Sequence, residues 1–244
     1  MKINVGRLAA IGAAMLLCFG LPAIGQTVVS VDFTGGYTTT WGNMSGDYGA
    51  GIYTGTINGA SSPGIICDDF NDNITNGETW NAHAYEASSL TSSNIGETLF
   101  GNTIGITGYA EVATLVSMMF GNGTYNSVQY SQADISSAIW DITLGGKPNS
   151  LQGLDQAAKN LVAAVELAFN GNSAAAQAYL ATLTNLWILT PTPLGPGEPQ
   201  EMWTENLNVP EGGAALMFLL LAGISCFGAM FIKSRDQLRS RVTA

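Results

Sequence analysis

The chain has 244 residues, a formal net charge of −10, and 46% hydrophobic against 11% charged residues. Six of its 8 basic residues lie before residue 26 or after residue 209, whereas of 18 acidic residues only Glu211 and Asp236 lie outside that interval. The middle is therefore strongly acidic with only Lys147 and Lys159 as cations, which excludes a nucleic-acid partner, because phosphates are neutralised by Lys and Arg.

At the N-terminus, Lys2 and Arg7 precede an apolar stretch from Leu8 to Leu21, followed by Pro22-Ala23-Ile24-Gly25-Gln26. A basic start, a short apolar region and small residues at Ala23 and Gly25 predict a secretory signal peptide over 1–25. The exported body is expected over 26–205. Cys18 falls in that signal and Cys226 in a late apolar run, so Cys67 is the lone cysteine of the body and no internal disulfide is available to it.

The first half of the body reads as β. Residues 27–33 alternate apolar and polar side chains after Val28. Residues 50–59 form a strand-like run ending in the turn signal Asn58-Gly59. Gly64-Ile65-Ile66-Cys67-Asp68 is a short apolar strand, and 78–87 alternates again with Trp80, Ala82, Ala84 and Glu86 on one side. The acidic loop after Cys67 offers Asp68, Asp69 and Asp72 as a weak calcium candidate. Read from Asp69, however, Ile74 and Trp80 stand where an EF-hand loop needs Gly and Glu, so no metal site is assigned.

The second half switches to helical spacing. A helix is predicted over 109–120 with Val112, Leu115, Val116 and Met119 inward. A second begins at Ser131 and Asp134, a capping-box-like pair, and buries Ile135, Ala138, Ile139 and Ile142. A third runs from about 151 to 169 with Leu154, Ala158, Leu161, Val165 and Ala168 inward, and an alanine-rich fourth covers 173–183. Residues 186–190 and 200–204 read as two late strands, joined by a proline-rich loop. The fold expectation is α+β: an antiparallel sandwich- or barrel-like lobe, an inserted helical lobe, and a single C-terminal transmembrane helix.

That last helix is the run from Ala214 to Ile232, 19 residues without a charge, or roughly 28 Å of helix, enough to cross a bilayer core. Val209-Pro210-Glu211 precedes it, and Lys233, Arg235, Arg239 and Arg241 follow as a basic tail that resists translocation. Motif, apolar span and basic stub over 209–244 resemble the bacterial PEP-CTERM sorting signal, with Gly212 where the commoner form has a second proline. The resemblance implies an exosortase as partner, an inner-membrane-anchored intermediate, and final residence at the cell surface or in an extracellular polymeric matrix.

A second resemblance lies in the body. Tyr53-Thr54-Gly55-Thr56-Ile57-Asn58-Gly59, Ile65-Ile66-Cys67-Asp68-Asp69-Phe70 and Ala138-Ile139-Trp140-Asp141-Ile142 follow in the order seen in thioester-domain-like exported proteins. In the adhesins of that family a strand Cys condenses with a Gln four residues before the Trp, and the resulting thioester acylates amines. Cys67 matches the Cys. The position four before Trp140 is Ser136, whose hydroxyl cannot supply an acyl carbon. Gln132 lies one turn earlier, about 5–6 Å away along the helix.

Three functional expectations follow. The first is a non-enzymatic, exosortase-processed surface or matrix protein that associates with exopolysaccharide or surface proteins and needs no cofactor. The second is a covalent adhesin using a Cys67 thioester. The third is a Cys-dependent hydrolase pairing Cys67 with His83, the only histidine. Gly-x-Ser-x-Gly, zinc-type and phosphate-cradling motifs are absent from the sequence.

Overall fold

The computed structural model describes residues 27–43, 46–62, 64–71, 74–145, 151, 153–194 and 199–207. The expected signal peptide over 1–25, Asp72, the expected sorting motif Val209-Pro210-Glu211, the apolar span 214–232 and the basic tail lie outside the described residues. Gln26–Leu207 forms one compact unit.

Within it the α+β expectation holds. Nine strands are described: β1 (Thr27–Asn43), β2 (Gly46–Ile57), β3 (Ala60–Ser61), β4 (Ile65–Cys67), β5 (Thr79–Glu86), β6 (Thr124–Tyr125), β7 (Val128–Gln129), β8 (Leu186–Pro191) and β9 (Met202–Glu205). Seven of them make one sheet in the order β1-β5-β8-β9-β4-β2-β3, and β1 also pairs with β2. That extra pairing returns the sheet to its own first strand. The described strand pairs are antiparallel throughout.

One bent strand makes the return possible. Residues 27–32 of β1 pair with β5, while 31–43 pair with β2 and the register shifts three times between Phe33 and Thr39. Gly35 and Gly36 have φ of 86° and 89° at the bend, a region favoured by glycine. A Cβ on Gly35 would come within 2.8 Å of the Asn76 side chain. Val29, Val31 and Phe33 point inward while Val28 is exposed, as alternation requires. Beyond Phe33 the bend breaks the alternation, so the ten further residues of β1 are invisible to a period-2 reading. At the other end of β2, Asn58 and Gly59 have φ of 53° and 76° and turn the chain into β3, the hairpin that Asn-Gly predicts.

Four helices enter between β5 and β8: α1 (Gly101–Phe120), α2 (Gln132–Gly145), α3 (Gln156–Phe169) and α4 (Ser173–Leu180). The capping box forms as expected: Ser131 N donates to Asp134 Oδ2 at 2.9 Å and Asp134 N to Ser131 Oγ at 3.1 Å. Helix α1 is longer than its inward stripe predicted, starting at Gly101 and carrying a non-helical Gly105. Its glycines and threonines mask the first turns from a propensity argument. It is also the one described helix long and apolar enough to cross a membrane, with a mean hydropathy of 1.3, yet most of it is buried in the body. Helix α3 starts at Gln156, capped by Asp155, and buries Phe169 where Ala168 was expected. Helix α4 stops at Leu180, one turn short of the expected end.

The apolar contacts form two clusters. The larger joins the helices to Ile66, Ile188 and Trp203. The smaller fills the sheet's interior with Val29, Val31, Phe33, Tyr53, Cys67, Trp80, Ala82 and Leu189 among others.

Candidate functional site

Strand β4 is only three residues long, but its neighbours fix the chemistry around Cys67. It pairs with β9 in the register Ile65↔Thr204, Ile66↔Trp203, Cys67↔Met202. Side chains alternate across a strand, so Cys67 and Asp69 share one face, and Met202 and Gln200 share that face on the partner strand. Cys67 is a free thiol, 2% exposed. Its Sγ lies 3.0 Å from Gln200 Oε1 and 3.0 Å from the carbonyl oxygen of Asp69. Gln200 Nε2 in turn donates to the same Asp69 carbonyl at 2.8 Å. Thiol and amide are thus held against one another from positions 133 residues apart in sequence.

Helix α2 locks this arrangement from behind. Trp140 Nε1 donates to the Cys67 carbonyl at 3.2 Å, and Thr143 Oγ1 donates to the Asp68 carbonyl at 2.6 Å. The Ala-Ile-Trp segment therefore braces the cysteine strand. Ser136 Oγ accepts from Gly51 N at 2.8 Å in a buried site, and Gln132 Oε1 accepts from Thr38 Oγ1. Neither side chain is bonded to Cys67. The sequence places no suitable acyl donor on the helix, since Ser136 is a hydroxyl and Gln132 lies a turn away; the amide beside the thiol belongs to Gln200, at the entrance to β9. The segment 200–204 was read as a strand, but nothing in its local pattern marks Gln200 until β9 is set beside β4.

Above the thiol sits a cavity of about 180 Å³ lined by Phe33, Tyr37, Tyr48, Tyr53, Phe70 and Trp140, with Cys67, Asp69 and Gln200 at the polar end. The rings pack on each other: Tyr48 and Phe70 are 4.8 Å apart, Phe70 and Trp140 5.4 Å, and Trp41 and Trp140 5.9 Å between centroids. Tyr53 donates its hydroxyl to the Gly49 carbonyl at 2.6 Å. Tyr37 is exposed on the rim.

Burial pushes the Cys67 thiol well above its ordinary range, and the Asp68 and Asp69 carboxylates push it the same way. The group is a neutral thiol at neutral pH, which argues against a ready-made thiolate nucleophile. The hydrolase expectation also lacks its base. His83 pairs with Val28 and Thr190, on β5, with β8 and β9 between it and β4 in the sheet. Trp80, Ala82 and Ala84 join Cys67 in the interior cluster, and His83 alternates to the other face.

The calcium candidates separate in the same way. Asp69 Oδ1 accepts from Asn71 N at 2.9 Å beside the cavity, whereas Asp68 is fully buried on the opposite face, where its Oδ2 accepts from Trp203 Nε1 at 2.6 Å. Among the described residues no group of three or more His, Cys, Asp or Glu side chains could hold a metal ion.

Behind β4 and β9, Glu201 is also wholly buried. Its Oε2 accepts from Leu99 N at 2.9 Å and Thr190 Oγ1 at 2.5 Å, and its Oε1 from Tyr109 OH at 2.5 Å. Sequence reasoning passed over this carboxylate because Glu201 sits just before β9 without a cationic neighbour in sequence to flag it.

No protein-family model matches this chain, and no curated protein or solved structure is significantly similar to it.

Proposed function

We propose that this chain is an exported surface or matrix protein whose body forms an internal thioester between Cys67 and Gln200 and uses it to couple covalently to an amine. The observation that carries the reading is the 3.0 Å approach of Cys67 Sγ to Gln200 Oε1, both side chains being buried. A carbonyl bond is about 1.2 Å, so the acyl carbon lies within roughly 3–4 Å of the sulfur, near the attack distance of a productive conformer.

The step balances without a cofactor. Sγ adds to the Gln200 acyl carbon, the C–N bond breaks, and the thiol proton leaves with the nitrogen as ammonia. An incoming amine then forms a C–N bond, the C–S bond breaks, and the sulfur recovers a proton from the amine. Each molecule reacts once, so this is a binding protein and not an enzyme. The aromatic walls favour an amine on an extended apolar stem, since ring faces attract ammonium groups.

Export and handling by an exosortase rest on the residues at the two ends. These are the signal-like 1–25, the motif Val209-Pro210-Glu211, the apolar 214–232 as membrane anchor before processing, and Lys233, Arg235, Arg239 and Arg241. Exopolysaccharide-associated proteins or other surface proteins would supply the amine.

Intact-mass spectrometry of the exported protein tests the bond. The expected result is a mass about 17 Da below that of the unmodified chain, the mass of one ammonia, restored to the full value in Cys67→Ala and Gln200→Ala after allowing for the substitutions, with methylamine adding to the wild type alone. Full mass in the wild type and no methylamine adduct would leave a non-covalent surface or matrix protein with Cys67 as a packing residue. Comparing C-terminal masses from hosts with and without an exosortase tests the processing. The complete apolar tail in both would remove that part of the reading.

A further inference from the structure

Continuing the β4–β9 register one step beyond Cys67↔Met202 sets Asp68 opposite Glu201, and Asp68 N donates to the Glu201 carbonyl at 3.4 Å. Each strand therefore carries two chemically paired neighbours on opposite faces. Cys67 meets Gln200 on the cavity side, and Asp68 meets Glu201 on the helix side. Both carboxyl groups are fully buried. Lys159 is the only Lys or Arg among the described residues, and its side chain is exposed.

Two adjacent buried carboxylates with no cation beside them among the described residues would repel and lose their hydration together, an arrangement that costs several kcal/mol per ion. The hydrogen bonds show how the pair divides the load. Glu201 accepts three donors over its two oxygens, as an ionised carboxylate does. Asp68 accepts from Trp203 on Oδ2, while Oδ1 is buried without a protein donor. A hydrogen on Oδ1, given to Glu201, satisfies the one polar atom left over and removes one of the two charges.

We propose that Asp68 and Glu201 share a single proton, carried on Asp68 Oδ1, and that this couple is a positioning pair that holds β4 and β9 in the register where Cys67 faces Gln200. Titratable neighbours agree with that protonation. Tyr109 from α1 donates its hydroxyl to the couple; Tyr85 from β5, Glu97 from the turn before α1, and Cys67 and Asp69 on the cavity side bring no positive charge. Burial first, and the Glu201 charge second, hold Asp68 well above the usual carboxylate range. The couple does not touch the reacting sulfur or acyl carbon, so it acts through strand position alone. In linking that position to thioester formation, the inference rests on the Cys67–Gln200 reading given above.

Two measurements on the full chain separate the two ideas. Infrared difference spectra between wild type and Asp68→Asn at pH 8 are expected to show a protonated-carboxyl C=O stretch in the wild type that the variant lacks. Absence of that band overturns the couple whatever happens at Cys67. In parallel, the rate of the ammonia loss after refolding is followed in four proteins. Asn at 68 can donate permanently to Glu201, so Asp68→Asn is expected to match wild type. Asp68→Ala and Glu201→Gln are expected to fall by roughly tenfold or more, the first for want of a donor and the second because an amide nitrogen replaces one acceptor oxygen, facing either the Tyr109 hydroxyl or the donors from Leu99 N and Thr190. Equal rates in all four, with folding confirmed by circular dichroism, would overturn the positioning role. Should the wild type show no ammonia loss, the thioester reading fails alone and alkylation of Cys67 takes over as the readout. Glu201→Gln is expected to speed it roughly tenfold, and an unchanged rate overturns the positioning role.

Discussion

The helical insertion and the β4–β9 strand pair are both closed to solvent but differ in what they bury: the helices bury mostly apolar atoms, with Ser136, Ser137, Asp141 and Thr143 of α2 as polar exceptions, while the strand pair and its flanks crowd polar groups together. Helices α1 to α4 hide Leu115, Ile139, Leu161, Val165 and Leu180 with nothing polar among those five. The strand pair hides Asp68, Asp69, Gln200, Glu201 and Thr204 within a few residues of one another. Apolar burial is favourable in itself, at about 25 cal/mol per Å². Polar burial only breaks even when every group is matched, and one missing partner is costly. The helices therefore supply stability, while the strand pair spends some of it to fix a unique register beside Cys67. The same contrast appears in the hydrogen bonds that cross between the two. Trp140, Thr143 and Tyr109 reach out of the helices to Cys67, Asp68 and Glu201, so a stable scaffold constrains an expensive one.

The sharpest way to break this contrast is to remove the acceptor at its centre. Glu201→Ala would strand Leu99 N, Thr190, Tyr109 and the shared proton of Asp68 at once. The expected loss is about 3–5 kcal/mol by urea denaturation, in line with deleting one partner from a buried charged network. Leu161→Ala in α3 removes a fully buried apolar side chain and should cost about 2–4 kcal/mol, with the methyl groups lost and a cavity left behind. Adding Asp68→Asn to each separates the mechanisms. With Leu161→Ala its effect should be additive, while with Glu201→Ala it should not, because residues 68 and 201 share a network. Additivity in both would mean that the strand pair is no more interdependent than the helices.

Much of that contrast was legible before any coordinates, and the division follows the physics of each element. Helices α2 and α3 announce themselves because one face meets a core and the period survives along the chain, as Ile135, Ile139 and Ile142 show. The start of α1 was hidden because Gly101, Gly105 and Gly108 carry no hydrophobic signal, although that turn closes over the buried Thr98. The half of β1 beyond Gly35 was hidden because a bend defeats alternation. At the site, Cys67 and the Trp140 helix were readable from local motifs. Gln200 and Glu201 were not, because their meaning comes from a pairing 133 residues away in sequence. The sequence directs attention to helical spacing from Trp140, whereas the amide that meets the thiol is set by the register of two strands. The separation of His83 from Cys67 is a strand-order fact of the same kind, beyond any local pattern.

Smaller effects sharpen the comparison from the helical side. Asp155 stands just before α3 in extended conformation, and its side chain accepts from Ala158 N at 2.8 Å. Asp155→Ala should cost about 1 kcal/mol, the ordinary value for a lost N-cap. Thioester formation at Cys67 should be untouched, since α3 makes no hydrogen bond to the strand pair. A slower ammonia loss in this variant would show that the helices and the site are coupled more widely than the Trp140, Thr143 and Tyr109 bridges.

The smallest effect is a slope with pH, and it comes from a buried carboxylate of the helices, Glu111, for which no hydrogen-bond donor is found among the described residues. Glu111 of α1 faces Glu166 of α3 across a groove that also holds Ile104 and Leu167. Burial first, and the Glu166 charge second, raise Glu111 from 4.5 to about 7. A carboxyl whose folded value lies above its unfolded one binds more protons folded than unfolded between those two values. The native state is therefore favoured at the acid end of that window, and stability falls as pH rises through about 7. Glu111→Gln abolishes this contribution, so the variant's melting temperature should change less between pH 5 and pH 8 than that of the wild type, with the variant ahead at pH 8. The Asp68–Glu201 couple is present in both proteins and leaves that difference intact. Parallel melting curves would place the pH response of the body elsewhere and weaken the view that the helices tolerate unmatched polar groups only at their edges.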